Sequence, residues 1–240
     1  MDRNSNQYTF IFAGVMVAIV GALLAFAATS LKPMQDVNVK NEKMQNILAS
    51  VGVQVDRELA PEKFNSVIKE QLALKVDGSV DTSLKAFDID LKSELSKKIE
   101  NQRLPLYIAE QEGKTFYIVP LRGAGLWDAI WGYVALESDM NTIKGAVFDH
   151  KGETPGLGAE ITQKWFQDRF IGEKISDASG EIVGVAVAKG NVDPSKDDNK
   201  VDAISGATIT GNGVTDMIKE RLSHYKSYFV SQKSKQALNQ

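Results

Sequence analysis

One stretch near the start of the chain, FIFAGVMVAIVGALLAFAA, constrains the fold more than any other. It runs from Phe10 to Ala28 as 19 apolar or glycine residues, and no charge occurs between Arg3 and Lys32. As a helix it would be about 29 Å long, close to the ~30 Å hydrocarbon core of a bilayer. A buried core helix would carry a polar stripe, which this segment lacks. The sequence therefore predicts a membrane-inserted helix.

Two interpretations of this membrane segment are open. Ala25–Ala27 resembles a signal-peptidase site, which would make the segment a cleaved leader. The apolar run exceeds the ~7–15 residues of a signal-peptide core, and this favours an uncleaved, single-span anchor. Charges on the two sides of the span nearly balance, so they give little guidance on its orientation.

The residue types present exclude several classes of site. The chain has no cysteine, which excludes disulfides, thiolate nucleophiles and zinc-thiolate sites. Its two histidines, His150 and His224, lie far apart in sequence and give little support to a metal centre or a catalytic triad. A net charge of −3 offers no basic face for nucleic acid. We therefore predict neither a metal site nor a nucleic-acid partner.

The segments after the anchor predict an α+β protein. We divide the chain into an anchor over residues 1–32, a helical and polar connecting region over 33–100, and a folded domain over 101–240. In the connecting region, Met34–Leu59 is expected to be helical up to Gly52. Pro61–Leu74 shows apolar residues at helical spacing, which predicts a second helix.

The remaining segments alternate between strand and helix patterns. Period-two patterns rich in Tyr, Ile, Val and Phe predict strands over 105–110, 114–121, 130–138 and 143–150. Lys164–Phe170 suits a short helix, and the pattern of Glu181–Gly190 predicts a strand buried on both faces. Asn191–Asp202 is interpreted as a solvated loop because its acidic spacing misses the EF-hand pattern. Apolar residues from Val214 to Phe229 recur at helical spacing and predict a C-terminal helix.

The small, polar segment DAISGATITGNG, Asp202–Gly213, has two interpretations. It can be a turn and helix start, capped by Thr210 or Asn212. It can instead be a phosphate site, because small residues leave backbone N–H groups uncovered near the positive end of a helix. A hydroxyl there can hydrogen-bond a phosphate or be esterified to one. Spacing alone leaves these options open.

The residues Asp202–Thr208, DAISGAT, resemble the Asp-x-x-Ser/Thr-Gly-Ala-Thr signature of FMN-binding domains that hold their flavin covalently. The resemblance implies that FMN is attached through its phosphate to Thr208 by a separate flavin transferase. It also implies that Ser205, Gly206 and Ala207 form the recognition loop. Thr210 lies outside the signature and is not the expected acceptor.

Three further stretches resemble the same family. They are GAGLWDAIWGYVAL (123–136), HKGETPGLGAEI (150–161) and AVAKG (186–190). With the single span, they make the chain similar to the C-subunit family of the Na⁺-translocating NADH:quinone reductases. The resemblance implies an electron carrier in a complex that oxidises NADH, reduces a quinone and pumps Na⁺. It further implies an inner-membrane location, other membrane subunits as partners, and an FMN-binding domain on the extracytoplasmic side.

Apolar residues in these stretches are candidates for the walls of a flavin site. Leu126 and Leu157, each flanked by glycine, can cover a flavin ring without crowding it. Trp127 can do the same, although Leu126 and Trp127 can equally be core residues at a strand end.

Polar residues in the same stretches are candidates for the flavin's edge. Thr154 precedes a proline, which favours an extended backbone that can present its hydroxyl. Glu153 either contacts the ribityl hydroxyls or braces its loop. Lys189 can place positive charge near the ring and stabilise a reduced anionic flavin, or it is simply solvated. We expect His150 to order a turn and His224 to lie at the surface.

Two alternative functions compete with this interpretation. The equivalent flavin subunit of Rnf-type ferredoxin:NAD⁺ oxidoreductases shares the signature. From another class, a membrane-anchored binding module without flavin would use the SGAT loop only to start a helix. Because the chain has neither a dinucleotide fingerprint nor a charge within its span, we expect it to bind neither NADH nor Na⁺ itself.

Overall fold

The computed structural model describes residues 3, 5–190, 195–196 and 198–238. The chain divides into two units, Met1–Lys43 and Met44–Gln240. The first unit consists mostly of the N-terminal part of α1 (Asn6–Ser50), a helix of 45 residues with an exposed apolar window of mean hydropathy 2.7. Among the described residues, only this helix is long and apolar enough to span a membrane.

The second unit is built on an antiparallel sheet of five strands in sequence order. The strands are β1 (Ile68–Leu74), β2 (Leu104–Gln111), β3 (Lys114–Ala124), β4 (Ala129–Leu136) and β5 (Ile143–His150). The four strands predicted between residues 105 and 150 are confirmed, and so is the α+β class. From β2 to β5, each strand pairs with the next one along the chain, because short turns join antiparallel strands as hairpins.

Helices and a small parallel sheet complete the second unit. The helices are α2 (Ala60–Val67), α3 (Leu91–Leu95), α4 (Lys164–Gln167), α5 (Thr208–Ser223) and α6 (Lys226–Leu238). The parallel pair is β6 (Ala186–Ala188) and β7 (Lys200–Asp202). Short 3₁₀ turns occupy Ala86–Asp88, Ile99–Asn101, Gly158–Thr162 and Asp168–Phe170.

The five-stranded sheet is buried on both faces, because alternate residues of its strands enter two different cores. One face carries Leu106, Val119 and Val134 and packs against the apolar side of α5. The other carries Tyr107, Ile118 and Ala135 and is covered by the end of α1 and by α2. Leu48 and Phe64 are fully buried or nearly so in this second core. The end of α1 is therefore part of the folded unit.

Two predicted elements differ from the structure. The helix predicted over Pro61–Leu74 is wrong beyond Val67, because the segment continues as β1 and pairs with β2. Ile68, Leu72 and Leu74 also fit a period-two pattern, and pairing with β2 decides between the two patterns. The strand predicted over Glu181–Gly190 is limited to β6, since Gly184, at φ +73°, interrupts the extended backbone.

The ends of predicted helices also move. α1 runs without a break through Pro33 and ends at Ser50, where Gly52 adopts φ +86°. The C-terminal helical pattern forms two helices, α5 and α6. α5 begins at Thr208 with Ala207 as its N-cap, so Thr210 and Asn212 lie inside the helix and do not cap it.

Neither of the two predicted segment boundaries coincides with the division between the two units. The boundary at 32/33 falls inside α1, and the one at 100/101 falls within the second unit, between β1 and β2. The two compact units are divided between Lys43 and Met44. Part of the predicted loop Asn191–Asp202, residues 191–194 and 197, lies outside the described residues.

Candidate functional site

Three segments meet at one edge of the five-stranded sheet. β3 ends and β4 begins at this edge, and the register places Ile130 opposite His150 at the end of β5. The turn 125–128 and the loop after His150 are therefore neighbours. Lys151 and Asp128 join them through an exposed ion pair of 2.9 Å.

The start of α5 reaches the same edge because the helix lies close to β3. A side chain at Gly213 would collide with the carbonyl oxygen of Ala124, and a Cβ at Gly123 would lie 2.8 Å from that of Met217. Thr208 precedes Gly213 by five residues, which is about 7.5 Å along the helix axis. The close packing of α5 on β3 thus brings the helix start beyond the end of the strand.

A cavity of about 210 Å³ lies among these three segments. Its lining residues are Leu126, Glu153, Thr154, Leu157, Gly158, Gly206, Ala207, Thr208, Ile209 and Thr210. Leu126, Leu157 and Ile209 are 47%, 41% and 57% exposed, and because all three line the cavity they give it an apolar rim. A larger groove of about 560 Å³ follows β5, but no predicted site residue lines it.

Glu153 is the buried polar centre of the cavity. Its Oε2 accepts a hydrogen bond of 2.6 Å from the Thr210 hydroxyl, and its Oε1 accepts one of 3.0 Å from the Trp127 backbone N–H. Burial raises the pKa of the Glu153 carboxyl, but hydrogen bonds from Thr210 and from three N–H groups of residues 126–128 outweigh burial. The net pKa lies below the ordinary value of 4.5, so the group is ionised at neutral pH.

Two glycines make room for this carboxylate. A Cβ at Gly125 would lie 2.5 Å from Glu153 Oε1, and one at Gly158 would collide with Oε2. The Glu153 backbone N–H donates to His150 Nδ1 at 3.1 Å, so His150 orders the turn. These contacts support the bracing interpretation of Glu153.

The two threonines of the signature region have different environments. Thr210 is buried and donates to Glu153, whereas Thr208, the first residue of α5, is exposed. Within the described part of the chain, the Thr208 hydroxyl makes no hydrogen bond. No group there accepts a hydrogen bond from the backbone N–H of Thr208, Ile209 or Thr210. The first residues of α5 line the cavity, so the positive end of the helix faces it, and among the described residues its three N–H donors have no partner.

The recognition loop leads directly into this helix start. Gly206 adopts φ +77°, and a Cβ there would lie 2.6 Å from Leu157. Arg169 Nη1 donates to the Asp202 carbonyl at 2.6 Å, and the Ala203 N–H donates to the Ala188 carbonyl at 2.7 Å. These bonds fix the loop at the end from which it leaves β7.

The structure brings most predicted site residues together. Those that line the cavity are Leu126, Glu153, Thr154, Leu157, Gly206, Ala207 and Thr208. Trp127 is 69% exposed at the tip of the β3–β4 turn, and its Nε1 donates to Thr154 Oγ1 at 3.2 Å. Ser205 is exposed next to Gly206, while Lys189 is exposed after β6 and does not line the cavity.

Three lining residues are missing from the sequence prediction: Gly158, Ile209 and Thr210. Gly158 belongs to the quoted HKGETPGLGAEI stretch. Nothing in the sequence indicates that this position must be glycine because Glu153 lies against it. Ile209 follows the acceptor candidate directly, and its exposure on a helix start is visible only in the structure.

Comparisons with known proteins show which family this chain resembles. A family model for the FMN-binding domain matches residues 125–223. The C subunit of the Na⁺-translocating NADH-quinone reductase from Haemophilus ducreyi is 30% identical over 234 residues, with 91% of this chain and 90% of that protein covered. The crystal structure of the same subunit from Parabacteroides distasonis is 41% identical, with a TM-score of 0.76, over 83% of this chain and 96% of that one. The crystal structure of Shewanella oneidensis NqrC is 29% identical, with a TM-score of 0.71, over 81% of this chain and 98% of that one.

Proposed function

Since the chain belongs to the C-subunit family of the Na⁺-translocating NADH-quinone reductases, we propose that it is the flavin-carrying electron-transfer subunit of such a complex. One observation supports this most: the sheet-edge cavity joins an exposed hydroxyl, three free N–H donors and an apolar rim. A phosphate fits the start of α5, and a flavin ring fits the apolar rim. Bound there, FMN supplies one- and two-electron chemistry.

FMN is attached covalently to Thr208 in this proposal. Thr208 is the exposed hydroxyl at the start of α5, whereas Thr210 is buried and already bonded to Glu153. Forming a phosphodiester from a hydroxyl requires an activated donor, a flavin dinucleotide with a phosphoanhydride. Thr208 Oγ1 bonds to the FMN phosphorus, the anhydride P–O bond breaks, and the second nucleotide leaves with its phosphate. The hydroxyl proton passes to a base of a separate flavin transferase.

Other residues in and beside the cavity orient the flavin. Leu126, Leu157 and Trp127 provide apolar surface for the ring, and Thr154 and the loop Ser205–Ala207 provide polar groups for its edge and phosphate. Lys189 is exposed and lies outside the cavity lining, so we assign it no contact with the flavin. The cavity of about 210 Å³ is smaller than the ~300–1,000 Å³ of typical ligand pockets. Part of the ring therefore stays outside and can exchange electrons with partner subunits.

Covalent attachment also explains why so open a cavity is sufficient. A tether holds the cofactor through every redox state, so affinity need not come from enclosing it. This matters on the extracytoplasmic side of the membrane, where we place the second unit and where no pool of free FMN can replace a lost cofactor. The span in α1 then anchors the chain in the inner membrane as a single pass, beside the other membrane subunits of the complex.

Mass spectrometry of the chain produced together with a flavin transferase tests this proposal. We expect an FMN adduct on the peptide that carries Thr208, and a yellow, fluorescent band that survives a denaturing gel. Thr208→Ala should lose both, and Thr208→Ser, which keeps a hydroxyl, should retain them. An unmodified wild-type chain, or an adduct that persists in Thr208→Ala, would show that the attachment site is wrong.

A further inference from the structure

One carboxylate joins all three walls of the cavity. Glu153 stands on the loop after β5, accepts a 2.6 Å hydrogen bond from Thr210 in the first turn of α5, and accepts N–H groups from the β3–β4 turn. Its exposed fraction is 5%. A side chain at Gly125 or Gly158 would collide with the Glu153 carboxylate, so the two glycines leave the space that the carboxylate occupies.

The Thr210 hydroxyl is the link from Glu153 to the helix start. In the described part of α5, the backbone N–H groups of residues 208–210 have no acceptor, and no side chain caps the helix. Uncapped helix ends fray readily, because their first turn lacks hydrogen bonds. The buried bond between Thr210 and Glu153 therefore fixes a turn that would otherwise be loose, two residues after Thr208.

From this we infer that Glu153 is a positioning residue for the attachment of FMN to Thr208, acting through the hydroxyl of Thr210. The inference rests on the proposed function. Glu153 touches neither the Thr208 hydroxyl nor the phosphoryl group. It holds the first turn of α5 against the β3–β4 turn, so that the Thr208 hydroxyl and the three N–H donors keep one arrangement. A phosphoryl transfer depends steeply on such an arrangement, because small displacements of the nucleophile slow the reaction strongly.

The rate of FMN attachment to full-length chains, measured with a flavin transferase and a flavin dinucleotide, tests this role. Thr210→Val removes the hydroxyl at nearly constant volume, and Glu153→Gln removes the charge at constant shape. Thr215→Val is the matched control, since the Thr215 hydroxyl also joins α5 to another segment, by accepting from the Val187 N–H at 2.9 Å. Thr210→Ser restores the hydroxyl.

We expect attachment to slow by roughly ten-fold or more in Thr210→Val and Glu153→Gln. Thr215→Val and Thr210→Ser should stay within about two- to three-fold of the wild type, because both keep the bond to Glu153. A purely structural role for Thr210 would slow Thr210→Val and Thr215→Val together, in proportion to their loss of thermal stability. That result, or wild-type attachment in folded Thr210→Val, would overturn the inference.

Two further outcomes are separable. If Thr210→Val does not fold, Glu153→Gln and Thr210→Ser decide: slow attachment in the first with a normal rate in the second supports the inference, and equal rates overturn it. If the wild-type chain takes up no FMN at Thr208, the proposed function itself fails. A wild-type chain that is labelled at Thr208 while the Glu153 and Thr210 variants keep its rate overturns only the positioning role.

Discussion

At the scale of single residues, Glu153 is a buried carboxylate whose negative charge is stabilised by hydrogen bonds. In the described part of the chain, no lysine or arginine pairs with it, and its partners are a hydroxyl and backbone N–H groups. Charges buried in this way remain ionised only if their hydrogen bonds replace the lost hydration. The surrounding geometry therefore has to be maintained as long as the group is ionised.

This leads to a prediction about pH. The pKa of Glu153 is lowered in the folded protein relative to 4.5, so the unfolded chain takes up a proton first as the pH falls. The contribution of Glu153 to stability is complete above about pH 6 and is lost as the pH falls from about 5 towards its folded pKa. Glu153→Gln should cost about 1–3 kcal/mol near neutral pH, and less in acid.

Urea unfolding of the wild type and of Glu153→Gln across the acidic range measures this difference. The difference in unfolding free energy between the two proteins should narrow as the pH falls. A difference that stays constant would mean that folding leaves the pKa of Glu153 unchanged, and a difference that widens would mean that folding raises it.

The acceptor threonine shows what can be predicted from sequence at this scale. The DAISGAT signature indicates Thr208 over Thr210, and the structure places the first at the surface and the second in the interior. The partner of Thr210 is 57 residues away in the chain. No spacing rule connects two such positions, so the Glu153–Thr210 bond could be found only after folding brings β5 and α5 together.

At the scale of elements, local pattern predicts the strands better than the boundaries of the helices. The strands from residue 104 to residue 150 follow their period-two pattern, because each is long and pairs with its chain neighbour. β1 is missed because it pairs with β2, which lies about thirty residues later, across segments of turn and 3₁₀ structure. Its short apolar pattern fits a helix and a strand equally well.

The packing of α5 on β3 gives a prediction at this scale. Glycine in a helix interior is normally about 1 kcal/mol less stable than alanine. At Gly213, however, a Cβ would collide with the Ala124 carbonyl oxygen, which is fixed backbone. Gly213→Ala should therefore destabilise the protein by about 1–3 kcal/mol, against the usual direction, and move the helix start away from the cavity.

Denaturant unfolding of Gly213→Ala against Asn212→Ala tests this packing. Asn212 is the exposed neighbour on the same helix, and its replacement by alanine should be neutral or slightly stabilising. FMN attachment to Gly213→Ala should fall together with its stability. A stabilised Gly213→Ala protein would show that α5 and β3 leave room for a methyl group between them.

At the scale of the whole molecule, the folded unit begins earlier than composition suggests. The polar character of residues 33–100 predicts a connecting region, yet Ile47, Leu48 and Val51 lie in the core beneath one face of the sheet. β1 supplies a fifth strand to that sheet. Polar composition hides this, because only one side of each of these short segments is buried.

The final prediction concerns where the chain can be cut. A fragment of residues 44–240 contains both hydrophobic cores and should fold as a soluble protein without the apolar span, and the full chain should require detergent or lipid. A fragment of residues 60–240 loses Ile47, Leu48 and Val51, and each buried side chain of this size contributes ~1.5–3 kcal/mol. Fragment 101–240 also loses β1 and should not fold cooperatively. Thermal unfolding followed by circular dichroism ranks the three fragments. Equal stability of 101–240 and 44–240 would instead place the domain boundary at residue 100. It would also show that the end of α1 and strand β1 contribute little to the stability of the domain.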